Sequence, residues 1–159
     1  MPTIITDTPA YLVPKELCNE EKIQEYWNIM HDNLQQEKIC KDELDNFFLI
    51  YPKQKEEDTI HEITVMHNYL KENYLAITDA ICINVYNTNC YLWALKDRDI
   101  AYTGSFQYSE KEDILYHLAN ISHHFFENIS PISFFYQQLS SDLLRFLSKY
   151  YEIKKLQIL

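Results

Sequence analysis

The central stretch of the chain, residues 79–108, alternates short apolar runs with polar turns and predicts three consecutive β-strands. The runs are rich in β-branched and aromatic residues, as buried strands are. The predicted strands cover residues 80–86, 90–95 and 100–107. The turns between them are too short for a parallel crossover, which needs a dozen or more residues. The pattern therefore predicts a three-stranded antiparallel meander over about residues 80–107.

Apolar residues recur at helical spacing on both sides of this meander. Before it, the spacing predicts three helices, over about residues 19–34, 37–51 and 59–73. After it, a capping box of Ser109 and Glu112 predicts a fourth helix, and Ser130 followed by Pro131 predicts the start of a fifth. The apolar tail from Ile153 predicts a short strand at the edge of the sheet.

The first 18 residues contain three prolines and are predicted to be irregular, with residues 4–5 or 11–13 as alternative edge strands. A chain of 159 residues is expected to form one domain, here residues 1–159. The predicted fold class is therefore α+β: a helical N-terminal half, the three-stranded meander, two C-terminal helices and a terminal edge strand.

Glycine occurs once in the whole chain, as Gly104 within the third predicted strand. Loops that cradle phosphate groups need glycine because the backbone must approach the phosphate closely, so no P-loop, dinucleotide fingerprint or nucleophile elbow is present. No cofactor is predicted. Gly104 itself predicts a β-bulge, and the alternative is close packing of a ligand or a partner backbone.

The histidines and cysteines form no recognised catalytic or metal-binding motif. His61 and His67 are six residues apart and point to different sides of a helix, so they do not form a zinc motif. Asp113 and His117 share a helix face, where an ion pair is favoured over a metal site. The four cysteines are scattered and are expected to be reduced. We therefore predict no catalytic residue, no metal site and no enzyme, with a site near His117, His123 and His124 as the alternative.

The net charge of −10 is unevenly distributed. Residues 1–75 carry fifteen acidic and seven basic side chains, whereas residues 76–159 carry nine and seven. This excess disfavours nucleic acids and anionic membranes and favours a basic protein partner. An alternative is that the charge only maintains solubility. The residues predicted to bind the partner form two acidic runs: Asp42, Glu43, Asp45, Glu56, Glu57 and Asp58.

Three functional hypotheses follow. The first is an acidic inhibitor, such as an immunity protein that neutralises a basic, nuclease-type toxin by direct binding. The second is a chaperone or adaptor for a secreted or regulatory protein, which would use an apolar surface or sheet edge and could form a homodimer. The third is an enzyme with an unrecognised site. No long apolar run and no signal peptide are found, so the predicted location is the cytoplasm.

Overall fold

The computed structural model describes residues 1–19, 21–31, 38–54, 56–126 and 131–158. The chain divides into two compact units, unit 1 (Met1–Asn68) and unit 2 (Tyr69–Leu159). Each unit is described by itself below. The prediction of one folding domain stays a prediction.

Unit 1 is built mainly from short strands. Its elements are β1 (Thr3–Ile5), β2 (Tyr11–Pro14), α1 (Ile23–His31), β3 (Ile39–Glu43), β4 (Phe47–Pro52), β5 (Thr59–His61) and the first residues of α2 (Glu62–Asn73). Strands β2, β4 and β3 form an antiparallel sheet in that order, and β1 pairs with β5 in parallel. Beside the three-stranded sheet, an apolar cluster contains Val13, Ile23, Trp27 and Ile50, all buried.

Unit 2 is organised around one five-stranded mixed sheet. Its elements after α2 are β6 (Ala80–Tyr86), β7 (Asn89–Lys96), β8 (Asp99–Gln107), α3 (Lys111–Phe125), β9 (Ser133–Tyr136), α4 (Ser141–Leu147) and β10 (Ile153–Lys155). The strand order is β10-β9-β6-β7-β8. Strands β6, β7 and β8 are antiparallel neighbours, whereas β9 runs parallel to both β6 and β10.

The central strands of this sheet are buried on both faces. One face carries Ile81, Ile83 and Leu92, which belong to the same cluster as Ile114 and Leu118 of α3. On the other face Phe135 packs edge-on against the ring of Tyr74, with ring centroids 5.2 Å apart. Burial on both faces explains why β6 and β7 read as nearly continuous apolar runs.

The predicted α+β fold with a helical N-terminal half is wrong. The protein is mixed α/β, with four helices and ten strands in three sheets among the described residues. The described part of residues 37–51, predicted to be a helix, contains β3 and most of β4, because the run Phe47–Tyr51 is apolar at five consecutive positions and fills a central strand rather than one helix face. The described part of the predicted fifth helix begins instead with β9, and its predicted first residue, Ser130, lies outside the described residues. Residues 1–18 contain β1 and β2, so both stretches predicted as alternative strands, residues 4–5 and 11–13, lie in strands.

Other predictions were closer to the structure. The three strands of the meander lie where the sequence places them, although they are only part of a larger sheet. The terminal strand is present as β10 at one edge of that sheet. The capping box that opens α3 uses Glu110 and Asp113, one residue later than predicted.

Gly104 does not mark a bulge. It faces Leu92 in regular register, and the irregularity lies nearer the start of β8, where Ala94 faces Tyr102 and the next residue, Leu95, faces Ile100. A methyl group added to Gly104 would overlap the hydroxyl group of Tyr102, whose ring carbon Cζ would lie 2.7 Å away. The glycine therefore leaves room for an aromatic ring of its own strand.

Candidate protein-binding surface

The first acidic run lies in β3 and the β3–β4 turn, and its first member points into unit 1. The carboxylate of Asp42 accepts hydrogen bonds from the Tyr51 hydroxyl (2.8 Å), the His61 backbone N–H (2.8 Å) and the Thr64 hydroxyl (2.7 Å). One of these donors is the last residue of β5, and another is a side chain in the first turn of α2. Asp42 therefore anchors α2 to the sheet, and its carboxylate is already occupied.

His61 is a second buried polar group beside this anchor. Its Nε2 lies 2.8 Å from the Thr8 carbonyl oxygen, and its Nδ1 accepts the Ile63 backbone N–H at 3.1 Å. A carbonyl oxygen only accepts, so Nε2 carries the proton and the ring is neutral. Burial lowers the pKa of His61, in agreement with a neutral ring. Burial also raises the pKa of Tyr51, which keeps its hydroxyl protonated as the donor to Asp42.

The other two residues of the first run face solvent. Glu43 is exposed and accepts a hydrogen bond from the Lys15 ammonium group at 2.8 Å, and this contact lowers the pKa of Glu43. Asp45 is exposed in the β3–β4 turn. We name Glu43 and Asp45 the turn cluster.

The second acidic run lies in the connection between β4 and β5. Glu56, Glu57 and Asp58 are all exposed, and Glu57 accepts a hydrogen bond from the Thr3 hydroxyl at 2.9 Å. We name these three residues the loop cluster. The turn cluster precedes β4 in the chain and the loop cluster follows it. The structure therefore does not bring the six predicted binding residues together: it yields two separate exposed clusters, with Asp42 in neither.

Within the described part of the chain, the histidines of α3 do not converge with a carboxylate on a metal site. Asp113 accepts the backbone N–H groups of Ser109 (3.0 Å) and Glu110 (3.1 Å), which caps the helix and lowers the pKa of Asp113. The His117 ring stacks on Phe106 with centroids 3.7 Å apart. His123 and His124 are exposed near the end of the helix.

Hydrogen bonds connect the carboxyl ends of the parallel strands β6 and β9. The side-chain oxygen of Asn84 accepts the backbone N–H groups of Gln137 and Gln138, both at 2.9 Å, and Asn84 is almost fully buried. The following residue, Val85, donates its N–H to the Gln138 carbonyl at 2.8 Å. The adjoining β6–β7 turn reaches positive φ at Asn87 (54°) rather than at a glycine.

A family model described as "Protein of unknown function (DUF3822)" matches residues 3–128. The chain belongs to the DUF3822 family. No curated protein matches its sequence. One similar solved structure is a crystal structure from Bacteroides thetaiotaomicron VPI-5482, described as a protein with an actin-like ATPase fold and unknown function. It aligns with 96% of this chain at a TM-score of 0.78 and 17% sequence identity.

The structural similarity shows that this DUF3822 chain has an actin-like fold. This finding also contradicts the predicted α+β architecture. The alignment covers 66% of the other chain, so our chain spans slightly less than two thirds of that protein's length. Among the helices that the structure describes, none has the length and apolar composition needed to cross a membrane.

Sequence reasoning missed the two polar side chains that organise the interior of this DUF3822 chain. The role of Asn84 could have been suspected from the sequence, because it is a single amide within the apolar run Ile81–Val85. The role of Asp42 could not be predicted, because it lies among other acidic residues and only the fold distinguishes its inward side chain from the exposed ones.

Proposed function

We propose that this DUF3822 protein is a non-catalytic protein-binding module that recognises a basic protein partner through the exposed acidic side chains of unit 1. The observation that carries the proposal is the difference in charge between the units. Unit 1 holds fourteen acidic and six basic side chains, and unit 2 holds ten and eight. Such a one-sided charge steers a partner of opposite sign into encounter and rejects partners of like sign.

The separation of the two clusters favours a protein over a small cation as the partner. The turn cluster precedes β4 in the chain and the loop cluster follows it, and no group of described residues that could hold a metal ion includes members of both. A protein surface with several basic side chains can contact both clusters. Within this proposal the exposed carboxylates stand in for phosphate groups, as they would in an inhibitor that occupies the cleft of a nuclease-type toxin. The proposed place of action is the cytoplasm.

A nucleotide-dependent enzyme is the second candidate, because the similar solved structure is described as having an actin-like ATPase fold. Three features count against it in this chain. The β6–β7 turn contains no glycine, the side-chain oxygen of Asn84 already binds two backbone groups, and the chain as a whole is acidic. Phosphate binding instead favours close backbone approach and positive charge. Calorimetric titration with magnesium ATP tests this candidate, and measurable binding would favour it over our proposal.

The experiment that tests the proposal is capture of partners from the native source at low and at high salt. Exposed charges are screened within about 10 Å at 0.1 M salt, so a complex held by the two clusters should dissociate as salt increases. We expect a basic partner that is retained at low salt and lost at high salt. A partner retained equally at both concentrations would contradict the proposal and favour the chaperone or adaptor hypothesis, which relies on apolar contact.

A further inference from the structure

The outer side of α1 in unit 1 carries large apolar side chains that face solvent. Ile29 is 77% exposed, and Leu17, in the turn that follows β2, is 60% exposed. Met30 is also exposed. Single exposed apolar residues are common on protein surfaces, whereas a contiguous apolar patch with a polar rim is typical of an interaction site.

Tyr26 joins these residues into one strip. Its hydroxyl donates a hydrogen bond to the Leu17 carbonyl oxygen at 2.8 Å, which holds the turn against the helix. Ile29 and Met30 follow Tyr26 by three and four positions, so they lie beside it on the helix surface. We name Leu17, Tyr26, Ile29 and Met30 the α1 strip.

Acidic side chains flank the α1 strip. Glu16 adjoins it in the turn, Glu25 precedes Ile29 by one turn of α1, and Glu21 lies just before the helix begins. All three carboxylates are exposed, and none forms an ion pair with another described residue. Lys22 is exposed here as well, so three carboxylates and one ammonium group surround the strip. The surface is therefore apolar along its middle and acidic around it.

We propose that the α1 strip is a docking site for an amphipathic helix of a protein partner, one that carries apolar side chains on one face and lysine or arginine beside them. The inference rests on the proposed function, since it takes the partner to be basic, and it adds an apolar contact that orients this partner. Charge complementarity selects the occupant, because the flanking carboxylates attract basic side chains and reject acidic ones. An amphipathic helix supplies apolar side chains at the same helical spacing as the strip.

The size of the strip is consistent with binding that remains sensitive to salt. Four side chains cover much less area than the interface of a stable complex. The apolar contact therefore fixes the position of the partner, whereas the surrounding charges supply the attraction that salt screens.

The probe is a labelled peptide of about 18 residues, five turns of helix, with leucine on one face and lysine on the other. Fluorescence anisotropy measures its affinity for the full chain at low salt. Two matched peptides separate the contributions: one replaces each leucine by serine, and the other replaces each lysine by glutamate. We expect the leucine–lysine peptide to bind at least about tenfold more tightly than either of them.

Matched variants place the apolar contact on α1. Ile29→Gln removes the most exposed apolar side chain of the strip without loss of helix propensity, and it should weaken binding of the leucine–lysine peptide about tenfold. Leu75→Gln removes a leucine of nearly equal exposure, 75%, in unit 2 and should leave binding unchanged. Circular dichroism checks that each variant is folded.

A second pair of variants tests the flanking charge. Glu21→Gln with Glu25→Gln should weaken binding of the leucine–lysine peptide and reduce its salt dependence. Glu72→Gln with Glu152→Gln, at exposed positions of unit 2, makes the same change in net charge and should do neither.

Equal affinity of the Ile29→Gln and Leu75→Gln variants, or equal binding of the leucine–lysine and serine–lysine peptides, would overturn this inference. The proposed function would survive that result if both lysine peptides still bound more tightly than the glutamate peptide. Preference for the glutamate peptide would contradict the inference and the proposed function together, and failure of all three peptides to bind would overturn the inference. A chain that dimerises by itself, and loses the dimer in the Ile29→Gln variant, would assign the α1 strip to a second copy instead.

Discussion

The two units of this protein are stabilised in different ways. Unit 2 packs apolar residues on both faces of one five-stranded sheet, and one face is covered by two helices of the same unit. The sheets of unit 1 contain fewer strands, and unit 1 holds most of the buried polar residues. Of the seven buried polar or charged residues among those described, five lie in unit 1: Thr8, His61, Glu62, Thr64 and His67.

This difference predicts that the two units are not equally sensitive to the loss of single polar contacts. Burial of apolar surface is spread over many side chains, so the loss of one contact leaves most of the stabilisation in place. Buried hydrogen bonds depend on particular partners, and removal of one partner leaves the others unsatisfied at a cost of several kcal/mol in the worst cases. Substitutions that remove a buried polar contact should therefore lower the stability of unit 1 most. Arg98 is an expected exception in unit 2.

The largest effect is expected at Asp42. Asp42→Ala removes the acceptor for three donors, from Tyr51, His61 and Thr64. We expect the free energy of unfolding to fall by about 3 kcal/mol, because charged hydrogen bonds are strong and the abandoned donors are partly buried. Urea unfolding measures it. Asp58→Ala, at an exposed position between β4 and β5, is the matched control, and an equal loss in both variants would refute the anchoring role of Asp42.

Arg98 tests whether unit 2 also depends on a polar contact. Its guanidinium group donates to the carbonyl oxygens of Tyr74 (3.0 Å), Leu75 (2.9 Å), Ile77 (2.9 Å) and Lys71 (3.0 Å). These groups lie at and after the end of α2, where carbonyls lack helical partners. Arg98→Ala should lower the free energy of unfolding by about 2 kcal/mol. Lys96→Ala, at an exposed neighbouring position, should change it little, and similar losses would argue against a specific role for Arg98.

Gly104 tests packing within the apolar part of unit 2. Gly104→Ala should lower stability by about 1 kcal/mol, because the added methyl group displaces the Tyr102 ring from its contact with Phe125. The same substitution in a Tyr102→Leu background should cost less, since the ring is gone. Thermal or urea unfolding of the four proteins in this double-mutant cycle gives the coupling between the two positions. Additive effects would show that the two residues do not conflict.

The smallest effect is expected from pH, through His61 in unit 1. Burial lowers the folded-state pKa of His61 below its usual 6.5, so below that pH the unfolded chain binds a proton that the folded chain does not. Stability should therefore be unaffected above about pH 6.5 and should fall as the pH decreases below that value. His61→Gln should flatten this dependence, whereas His124→Gln, at an exposed position, should not. Identical pH profiles for the two variants would contradict the assignment.

The sequence predicted unit 2 better than unit 1 for a physical reason. The strands β6 and β7 are apolar runs, and short turns separate β6, β7 and β8, a pattern typical of antiparallel neighbours. In unit 1, residues 40, 44, 47, 48 and 51 fit a helical stripe as well as a hairpin, so the predicted helix was wrong there. The pairing of β9 with β6 and the inward turn of Asp42 depend on contacts between distant residues, which periodicity does not report.

The acidic runs show the same limit at the candidate site. The composition predicted that these carboxylates bind a partner. In the structure they form three groups: Asp42 inside unit 1, the turn cluster and the loop cluster. Asp42 and Glu43 are neighbours in β3, yet one is hydrogen-bonded inside unit 1 and the other is exposed beside Lys15. Alternation of side chains along a strand produces this difference, and it could be predicted only if β3 were already known to be a strand.

The central claim, that unit 1 binds a basic partner, is tested most directly by two matched charge variants. One neutralises Asp45, Glu56, Glu57 and Asp58 in unit 1 as the corresponding amides. The other neutralises Glu72, Asp97, Glu112 and Glu152 in unit 2, four exposed acidic residues that give the same change in net charge. Capture of the partner at low salt is then measured for both. Loss of capture by the unit 1 variant alone is the predicted result, and equal capture by the two variants would contradict the account.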